Sequence, residues 1–284
     1  MISVVCVYNN EDILNSWLLK SLKNQTVEFE LIKIDNTKGI FKSAPEALNY
    51  GGCKAKGKYI MFVHQDLNLC SNRWLEDGVN VLDSISDLGI AGVAGMRKTK
   101  ISRMFNVGTS PIESRVGILY HGDRKEPWLC NKNFTEPVEV QTLDEQMLII
   151  PRNIFENLKF DEKTCNGWHL YGVDYSLCVQ KLGLKAYVIP LPVWHHSTGS
   201  LNESYYVTLN KMFIKHRKYE YIYATCGLWY TSNFLNCFSL LIMAMRSEIG
   251  RFIGRDNVGV GPFIVRIKSL LNGLKKIDRS DKMR

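Results

Sequence analysis

The chain opens on Ile2-Ser3-Val4-Val5-Cys6-Val7-Tyr8, an apolar run with three valines that ends at the polar pair Asn9-Asn10. A short and almost continuous apolar run of this kind is typical of a strand buried on both faces of a sheet. Asn10 and the acidic pair Glu11-Asp12 form a helix-start signal directly behind it. This stretch therefore predicts a buried strand that leads straight into a helix.

The same alternation of strand and helix continues to about residue 95. Further strands are predicted at Phe29–Ile34, Lys58–His64 and Gly89–Ala94. The helix between the second and third strands begins at Ser43-Ala44-Pro45-Glu46, which has capping-box spacing and a proline in the first turn. Alternating strands and helices predict an α/β fold with a mostly parallel, Rossmann-like central sheet and helices on both faces.

Polar clusters follow three of the predicted strands at their carboxyl ends. They are Tyr8-Asn9-Asn10, Asp35-Asn36-Thr37 and His64-Gln65-Asp66. Ligands of open α/β sheets bind beyond the carboxyl ends of the strands. We therefore expect these three clusters to meet at one rim of the sheet and to form a binding site there.

The second half of the chain has a less regular pattern. Val138–Leu143 and Met147–Ile150 flank Asp144-Glu145-Gln146 and predict a β-hairpin. Leu170–Leu182 predicts a helix that ends at Gly183, and a strand at Ala186–Ile189 follows. Residues 97–135 are expected to form long loops with short strands, and the chain is predicted to be helical from Ser204 to about residue 275.

Composition and charge exclude several classes of protein. The 284 residues are 45% hydrophobic with a net charge of +8, which fits a folded protein with a sizeable core. Ten basic and four acidic residues lie in 246–284, whereas the first 245 residues hold 26 basic and 24 acidic ones. A uniformly basic nucleic-acid-binding surface is therefore not expected, and we predict no nucleic-acid partner.

The cysteines and the amino terminus indicate a cytoplasmic protein. Eight cysteines are scattered along the chain without a C-x-x-C pair, so the sequence has no zinc-ribbon signal. Thiols among apolar neighbours are typical of a reducing compartment. The amino terminus lacks the basic region and long apolar stretch of a signal peptide.

The carboxyl-terminal third has a membrane-related pattern. Tyr221–Met245 contains no charged residue, but its Thr, Ser and Asn residues favour a packed or interfacial helix over a membrane span. Phe263–Ile277 combines helical apolar spacing with a basic opposite side. Such a helix can lie on an anionic membrane surface, which would make the protein peripheral at the inner face of the membrane. Alternatively, residues 221–284 cover the catalytic domain or form a homo-oligomer.

Several motifs in the chain together resemble the inverting glycosyltransferases of family 2, which have the GT-A fold. The stretches that carry the resemblance are Val4–Asn9, Asp35–Thr37, Ala47–Gly51, Ala55–Tyr59, His64–Asp66, Phe160–Glu162, Tyr171–Asp174 and His195–Ser200. The resemblance is to bacterial enzymes of surface-polysaccharide or protein-glycan synthesis. It implies a GT-A catalytic domain at 1–200, with a nucleotide-binding half at 1–95 and an acceptor-binding half at 96–200. A basic, amphipathic helical segment at 201–284 completes the chain.

The resemblance implies a bound divalent metal and a nucleotide-sugar donor. His64-Gln65-Asp66 stands where the family has D-x-D, so Asp66 with His195 or His196 would ligate Mn²⁺ or Mg²⁺ at the diphosphate. The replacement of the first acid by His64 favours Mn²⁺, although His64 could instead contact the ribose. Asp66 could also simply cap the next helix. The residues implied in donor binding are Tyr8, Asn9, Asp35, Asn49, His64 and Asp66.

The resemblance also implies a catalytic base and an acceptor site. Asp174, at the start of a predicted helix, matches the family's base, and a purely structural first-turn Asp is the alternative. Leu48 stands where the family often has Arg, so another group must contact the phosphates. The residues implied in acceptor binding are Trp168, His169, Tyr171, Asp144 and Glu145. Core packing for Trp168 and solvated turn positions for the two acids are the alternatives.

The implied function is metal-dependent, inverting sugar transfer. The donor would be a UDP-hexose or a UDP-N-acetylhexosamine, and the acceptor a glycan, free, lipid-linked or on a glycoprotein. The alternative is a non-catalytic module that binds sugar nucleotides or glycans on the same scaffold. A nucleotidyltransferase is disfavoured, because Tyr8–Asp12 is acidic and lacks the glycines of a phosphate-binding loop.

Overall fold

The largest sheet of the protein has seven strands. A computed structural model describes residues 1–99, 112–122, 128–129, 134–197 and 203–231. The order across this sheet is β10 (Val138–Val140), β13 (Lys185–Val188), β5 (Leu88–Gly92), β12 (Met147–Pro151), β3 (Tyr59–Val63), β1 (Ile2–Tyr8) and β2 (Phe29–Asp35). The expected α/β, GT-A type of fold is confirmed.

The sheet is mixed, since three of its neighbouring pairs are parallel and three are antiparallel. β1 runs parallel to β2 and β3, and β13 runs parallel to β5. β12 lies antiparallel between β3 and β5, and β10 lies antiparallel on β13. The sheet is therefore less parallel than predicted, because β12 lies between strands that point the other way.

The predicted hairpin around Asp144 is wrong. Its first half divides into β10 and β11 (Thr142–Leu143), and β11 pairs with β6 (Ala94–Met96) in a separate small sheet. Its second half is β12, which pairs only with β3 and β5 among the described strands. The connection Asp144–Gln146 therefore joins two sheets, which places it beside the rim of the large one.

Helices cover both faces of the large sheet. They are α1 (Glu11–Leu14), continued by a π-helical turn (Asn15–Leu19) into α2 (Lys20–Leu22), then α3 (Ala44–Gly52), α4 (Trp74–Asp83), α5 (Arg152–Asn157), α6 (Tyr171–Lys181) and α7 (Glu203–Lys215). Val5 of β1 faces a core shared with α3, α5, α6 and α7. Val4 faces a second core shared with Leu14 and Trp74. Burial on both faces explains why β1 is an unbroken apolar run.

The predicted start of α3 is confirmed in its local geometry. Ser43 Oγ accepts a hydrogen bond from the Glu46 N–H at 3.3 Å, as an N-cap does. At the other end, a Cβ on Gly51 would lie 2.5 Å from Val5 Cγ1. Glycine therefore allows the last turn of α3 to pack directly against β1.

A small sheet brings distant segments to the rim. β14 (Val193–His195) pairs antiparallel with β4 (Leu67–Leu69) and parallel with β8 (Leu119–His121), which also pairs with β9 (Trp128–Leu129). In this register His195 lies opposite both Leu67 and His121. β7 (Arg115–Gly117) completes the other small sheet beside β6. The residues after β3 thus meet the end of β14.

Residues 203–231 pack on the preceding part of the described chain. Helix α7 follows the prediction, but β15 (Tyr221–Ala224) and β16 (Gly227–Tyr230) form a hairpin where a helix was predicted. Ile222 and Trp229 of the hairpin join the same core as α7, which is why this uncharged segment is buried. The predicted helix at Phe263–Ile277 and the rest of 232–284 lie outside the described residues. No helix in the described ranges is long and apolar enough to cross a bilayer.

Candidate functional site

A pocket of about 770 Å³ lies at the carboxyl ends of β1, β2 and β3. This is a usual volume for a small-molecule site. Tyr8, Asn9, His64 and Asp66 line it, as does Glu145. The three strand ends therefore meet at one pocket, as predicted.

Gln65 joins the end of β1 to the end of β3. Its Oε1 accepts hydrogen bonds from the N–H groups of Asn9 and Asn10, both at 3.0 Å, and its Nε2 donates to Asn9 Oδ1 at 2.7 Å. Asn10 in turn caps α1 through the Ile13 N–H. The side chain of Asn9 is thus engaged within the rim itself.

The end of β2 forms the adjoining wall. Asn36 and Thr37 line the pocket, and Asp35 lies exposed at its edge. Asp35 Oδ1 accepts from the N–H of Thr37 at 2.8 Å and from its Oγ1 at 2.7 Å, and these bonds lower the pKa of Asp35. Asp35 is therefore an anion at neutral pH.

Asp66, His64 and His195 form a cluster at the pocket wall. One potential ligand atom from each lies within 4.8 Å of the others, and His195 Nε2 is 3.4 Å from Asp66 Oδ1. Burial alone would raise the pKa of Asp66, but His195, His64 and the Ser197 N–H lower it well below its usual range. Burial and the neighbouring His195 lower the pKa of His64. The cluster therefore pairs a carboxylate with a neutral imidazole at His64.

This cluster fits a divalent metal ion. One carboxylate and two imidazoles are a donor set that Mn²⁺ accepts. His195 Nε2 is buried and has no hydrogen-bond partner in the described part of the chain, as expected of a nitrogen whose partner is an ion. His196 is exposed instead, and its ring stacks on Trp17 with centroids 4.6 Å apart. Of the two histidines left open by the sequence, the geometry therefore favours His195 as the one that faces a metal ion.

His121 is a member of this region that the sequence analysis missed. Its ring centroid lies 5.5 Å from that of His195. Burial and then His195 lower the pKa of His121. Residues 97–135 were predicted to be mostly loops, and only the pairing of β8 with β14 brings His121 here.

Three of the predicted acceptor residues line the pocket. They are Glu145, Tyr171 and Trp168, and Trp168 is 44% exposed. The Tyr171 hydroxyl lies 3.2 Å from His64 Nε2 and donates to the Glu145 carbonyl oxygen at 3.3 Å. Tyr171 thus links the acceptor side of the pocket to the histidine cluster.

The two other predicted acceptor residues lie outside the pocket wall. The His169 ring packs edge-on against Tyr205, with centroids 5.8 Å apart. Asp144 Oδ2 accepts a hydrogen bond from Thr225 Oγ1. Both side chains hold neighbouring segments together.

Asp174 also lies away from the pocket. Its side chain is buried between α6 and α7, where Oδ1 contacts His216 Nε2 and Oδ2 contacts Lys215 Nζ, each at 2.7 Å. Position 174 lies one turn into α6, where Lys215 of α7 and the following His216 pack against it. The structure therefore disfavours Asp174 as the catalytic base.

Asn49 has a structural role as well. Its Oδ1 accepts from the Phe160 N–H at 3.0 Å, while its Nδ2 donates to the Phe160 carbonyl and to Glu162 Oε1. These bonds tie α3 to the loop before α6, so the predicted diphosphate contact of Asn49 is not supported. Lys42 lines the pocket and is the basic group at this wall.

A model of a protein family matches most of the chain. The family is described as "Glycosyltransferase like family", and the match runs over residues 3–219. A curated relative from Fuscovulum blasticum, "ATP synthase subunits region ORF 6", is 25% identical over 190 residues. That alignment covers 65% of this chain and 66% of the relative, just under two thirds of its length.

Solved structures with a similar fold include two glycosyltransferases. GalNAc-T7, solved with UDP, GalNAc and Mn²⁺, has a TM-score of 0.51 at 15% identity, over 75% of this chain and 47% of that one. The mannosyltransferase PcManGT from Pyrobaculum calidifontis, solved with GDP-Man and Mn²⁺, also has a TM-score of 0.51, at 11% identity. The alignment with PcManGT covers 97% of this chain and 86% of the mannosyltransferase. Identities this low show the shared GT-A fold alone. The family match, which includes the pocket, shows that the chain belongs to the glycosyltransferase-like family.

Proposed function

We propose that the protein is a metal-dependent inverting glycosyltransferase that uses a nucleoside diphosphate sugar. The donor is of the UDP-hexose or UDP-N-acetylhexosamine class, and the acceptor is a hydroxyl of a glycan. The observation that carries the proposal is the pocket itself. His64 and Asp66, which form a cluster with His195, line the pocket together with Glu145 and the exposed Trp168.

The donor binds along the ends of β1 and β2. Asp35 accepts hydrogen bonds from the nucleobase or ribose, and Tyr8 and Asn9 form the wall beside it. A diphosphate needs positive charge, and Leu48 supplies none. Lys42 lines the same pocket, and its flexible ammonium group is suited to contact phosphate oxygens.

Asp66, His64 and His195 hold the metal ion, and Mn²⁺ suits this donor set better than Mg²⁺. When bound, the ion supplies positive charge opposite the diphosphate leaving group. In GalNAc-T7 and PcManGT the solved complexes contain Mn²⁺ with UDP and with GDP-Man, respectively. These complexes support a metal-dependent nucleotide-sugar reaction in this chain.

The acceptor is a growing glycan, lipid-linked or on a glycoprotein. The exposed Trp168 ring offers an apolar surface on which a sugar ring can stack, next to the Tyr171 hydroxyl. The six described cysteines are free thiols, which supports a reaction in the cytoplasm. The basic segment 246–284 would keep the enzyme at the membrane surface or join two copies.

A second candidate function is a module that binds sugar nucleotides without turnover. The observation in its favour is His64 at the position of the first metal-binding acid. The two functions differ in one measurable property, which is release of the nucleoside diphosphate.

The test is nucleotide release from a panel of UDP-, GDP- and dTDP-sugars with purified protein. We expect release from a UDP-sugar with Mn²⁺, loss of release with EDTA, and recovery when Mn²⁺ is added back. Asp77→Asn, an exposed carboxylate on α4, is the matched control for Asp66→Asn. Binding without release of any nucleotide would favour the binding module and contradict the enzyme.

A further inference from the structure

Asp174 has no oxygen available for a reacting proton. Its two carboxylate oxygens contact Lys215 Nζ and His216 Nε2, and Lys215 also contacts Asp161 Oδ2 at 2.8 Å. Taking a proton would require a buried ion pair to separate, which is costly in a protein interior. A sugar-transfer reaction in the pocket therefore needs another base.

Glu145 lies in the pocket wall, on a connection that is held in place at both ends. On one side, the Leu143 N–H donates to Ser176 Oγ on α6 at 3.2 Å. On the other side, β12 is held between β3 and β5. The hydroxyl of Tyr171 contacts both the Glu145 carbonyl and the ring of His64. One side chain, that of Tyr171, thus connects the Glu145 backbone to His64 of the candidate metal cluster.

Gly172, the second residue of α6, leaves the space that Glu145 occupies. A Cβ at position 172 would lie 3.2 Å from Glu145 Cγ and 3.3 Å from the Leu143 carbonyl oxygen. Any larger side chain there would have to displace the glutamate. The first turn of α6 therefore leaves room for the side chain of Glu145, which lies in the connection between β11 and β12.

The surroundings of this carboxyl suit proton transfer. Burial, and then the charge of Asp144, raise the pKa of Glu145 to about 8, although the backbone N–H groups of Gly172, Leu170 and Val173 act against this rise. A carboxyl with a pKa near the working pH is a stronger base than an ordinary glutamate. Glu145 Oε1 is buried and has no hydrogen-bond partner among the described residues, so it can accept one from a substrate.

We propose that Glu145, and not Asp174, is the general base that takes the proton of the acceptor hydroxyl. The proposal rests on the proposed glycosyl transfer. As the acceptor oxygen forms its bond to the anomeric carbon, its proton passes to a Glu145 oxygen. The bond from that carbon to the diphosphate oxygen breaks, and its electron pair leaves with the nucleoside diphosphate. Glu145 later returns the proton to water.

The test is Glu145→Gln, which keeps the size of the side chain and removes the base. Single-turnover transfer to the acceptor identified for the wild type is measured beside binding of Mn²⁺ and of UDP. We expect the rate of transfer to fall about 10²- to 10⁴-fold. We expect the affinities for Mn²⁺ and UDP to stay within about twofold, because Glu145 takes no part in donor or metal binding. Glu139→Gln, on the exposed edge strand β10, is the matched control.

Each result separates this proposal from the proposed function. If the wild type transfers sugar and Glu145→Gln retains a rate within about threefold, the base assignment is overturned and the enzyme assignment stands. If Asp174→Asn, folded and binding UDP normally, loses transfer to the same extent as Glu145→Gln, the assignment is likewise overturned. A wild-type protein that releases no nucleotide from any donor overturns the proposed function, and the base assignment with it.

Discussion

Two clusters in this protein combine a carboxylate with histidine and differ in their surroundings. In the first, Asp66 lies between His64 and His195 on the wall of the pocket. In the second, Asp174 lies beside His216 between α6 and α7 and away from that pocket. Both arrangements satisfy the spacing of a metal site, since Asp174, Cys178 and His216 also offer ligand atoms within 4.8 Å of one another.

The two clusters differ in that a lysine, Lys215, pairs with the carboxylate of the second one. Lys215 Nζ lies 2.7 Å from Asp174 Oδ2 and 2.8 Å from Asp161 Oδ2, so the charge of the carboxylate is already balanced. Burial would lower the pKa of Lys215, but Asp174 and Asp161 raise it above its usual range, so the ammonium persists. The described part of the chain provides no lysine or arginine partner for Asp66. A carboxylate beside histidine thus belongs to a candidate ion site in one place and to a structural ion pair in the other.

The largest effect is expected for Asp66→Asn. Loss of the carboxylate removes the metal's charged ligand, and a bound metal is worth several kcal/mol of transition-state stabilisation. Nucleotide release should therefore fall about 1000-fold, with the fold intact by circular dichroism. Asp77→Asn should keep wild-type activity. An Asp66→Asn protein with activity near wild type would remove the distinction between the two clusters.

Asp174→Asn is expected to act on stability instead. Removal of Asp174 from this buried ion pair leaves Lys215 with Asp161 as its one remaining carboxylate partner among the described residues, and it costs about 3 kcal/mol. The unfolding temperature should fall by about 6 to 12 °C in a calorimetric scan. Transfer by the folded fraction should stay within about threefold of wild type. Unchanged unfolding with abolished transfer would restore Asp174 as the base.

Two adjacent histidines offer a matched test of the metal cluster. His195→Ala should weaken Mn²⁺ binding about 10- to 100-fold, because it removes a buried nitrogen that faces Asp66. His196→Ala removes only the exposed ring that stacks on Trp17, so Mn²⁺ affinity should change less than about twofold. Electron paramagnetic resonance of free Mn²⁺ measures both. Equal losses in the two variants would contradict the placement of His195.

The remaining prediction concerns stability alone, through its dependence on pH. The pKa of Glu145 is raised from 4.5 to about 8, so the folded state holds this proton over a range where the unfolded state has released it. The wild type should therefore lose stability as pH rises from about 5 to about 8. Glu145→Gln lacks this dependence, and its advantage over the wild type should grow with pH in urea titrations. Parallel curves for the two proteins would refute the raised pKa.

The fold was largely predictable because local patterns determine it. The apolar run at Ile2–Tyr8 and the capped helix after Ser43 agree with their final conformations. The hairpin around Asp144 was not predictable, since β10, β11 and β12 pair with strands far away in sequence. The hairpin β15–β16 was missed for a related reason. Its uncharged sequence suits a buried helix equally well.

The site was predictable where residues follow the strands that form the rim. Tyr8, Asn9, His64 and Asp66 line the pocket as expected, because parallel strand ends meet at one edge. The contacts of Asp174 were not predictable, since the sequence does not reveal that Lys215 of α7 and the following His216 pack against it. The space that Glu145 occupies exists because residue 172 is a glycine, and only the packed structure reveals that space.

The most direct test of the account is calorimetric titration of Mn²⁺ into the protein in the presence of UDP. The account predicts one Mn²⁺ per chain in the wild type and in Asp174→Asn, and loss of that binding in Asp66→Asn. Retained binding in Asp66→Asn together with lost binding in folded Asp174→Asn would assign the ion to the cluster between α6 and α7. That result would contradict the account.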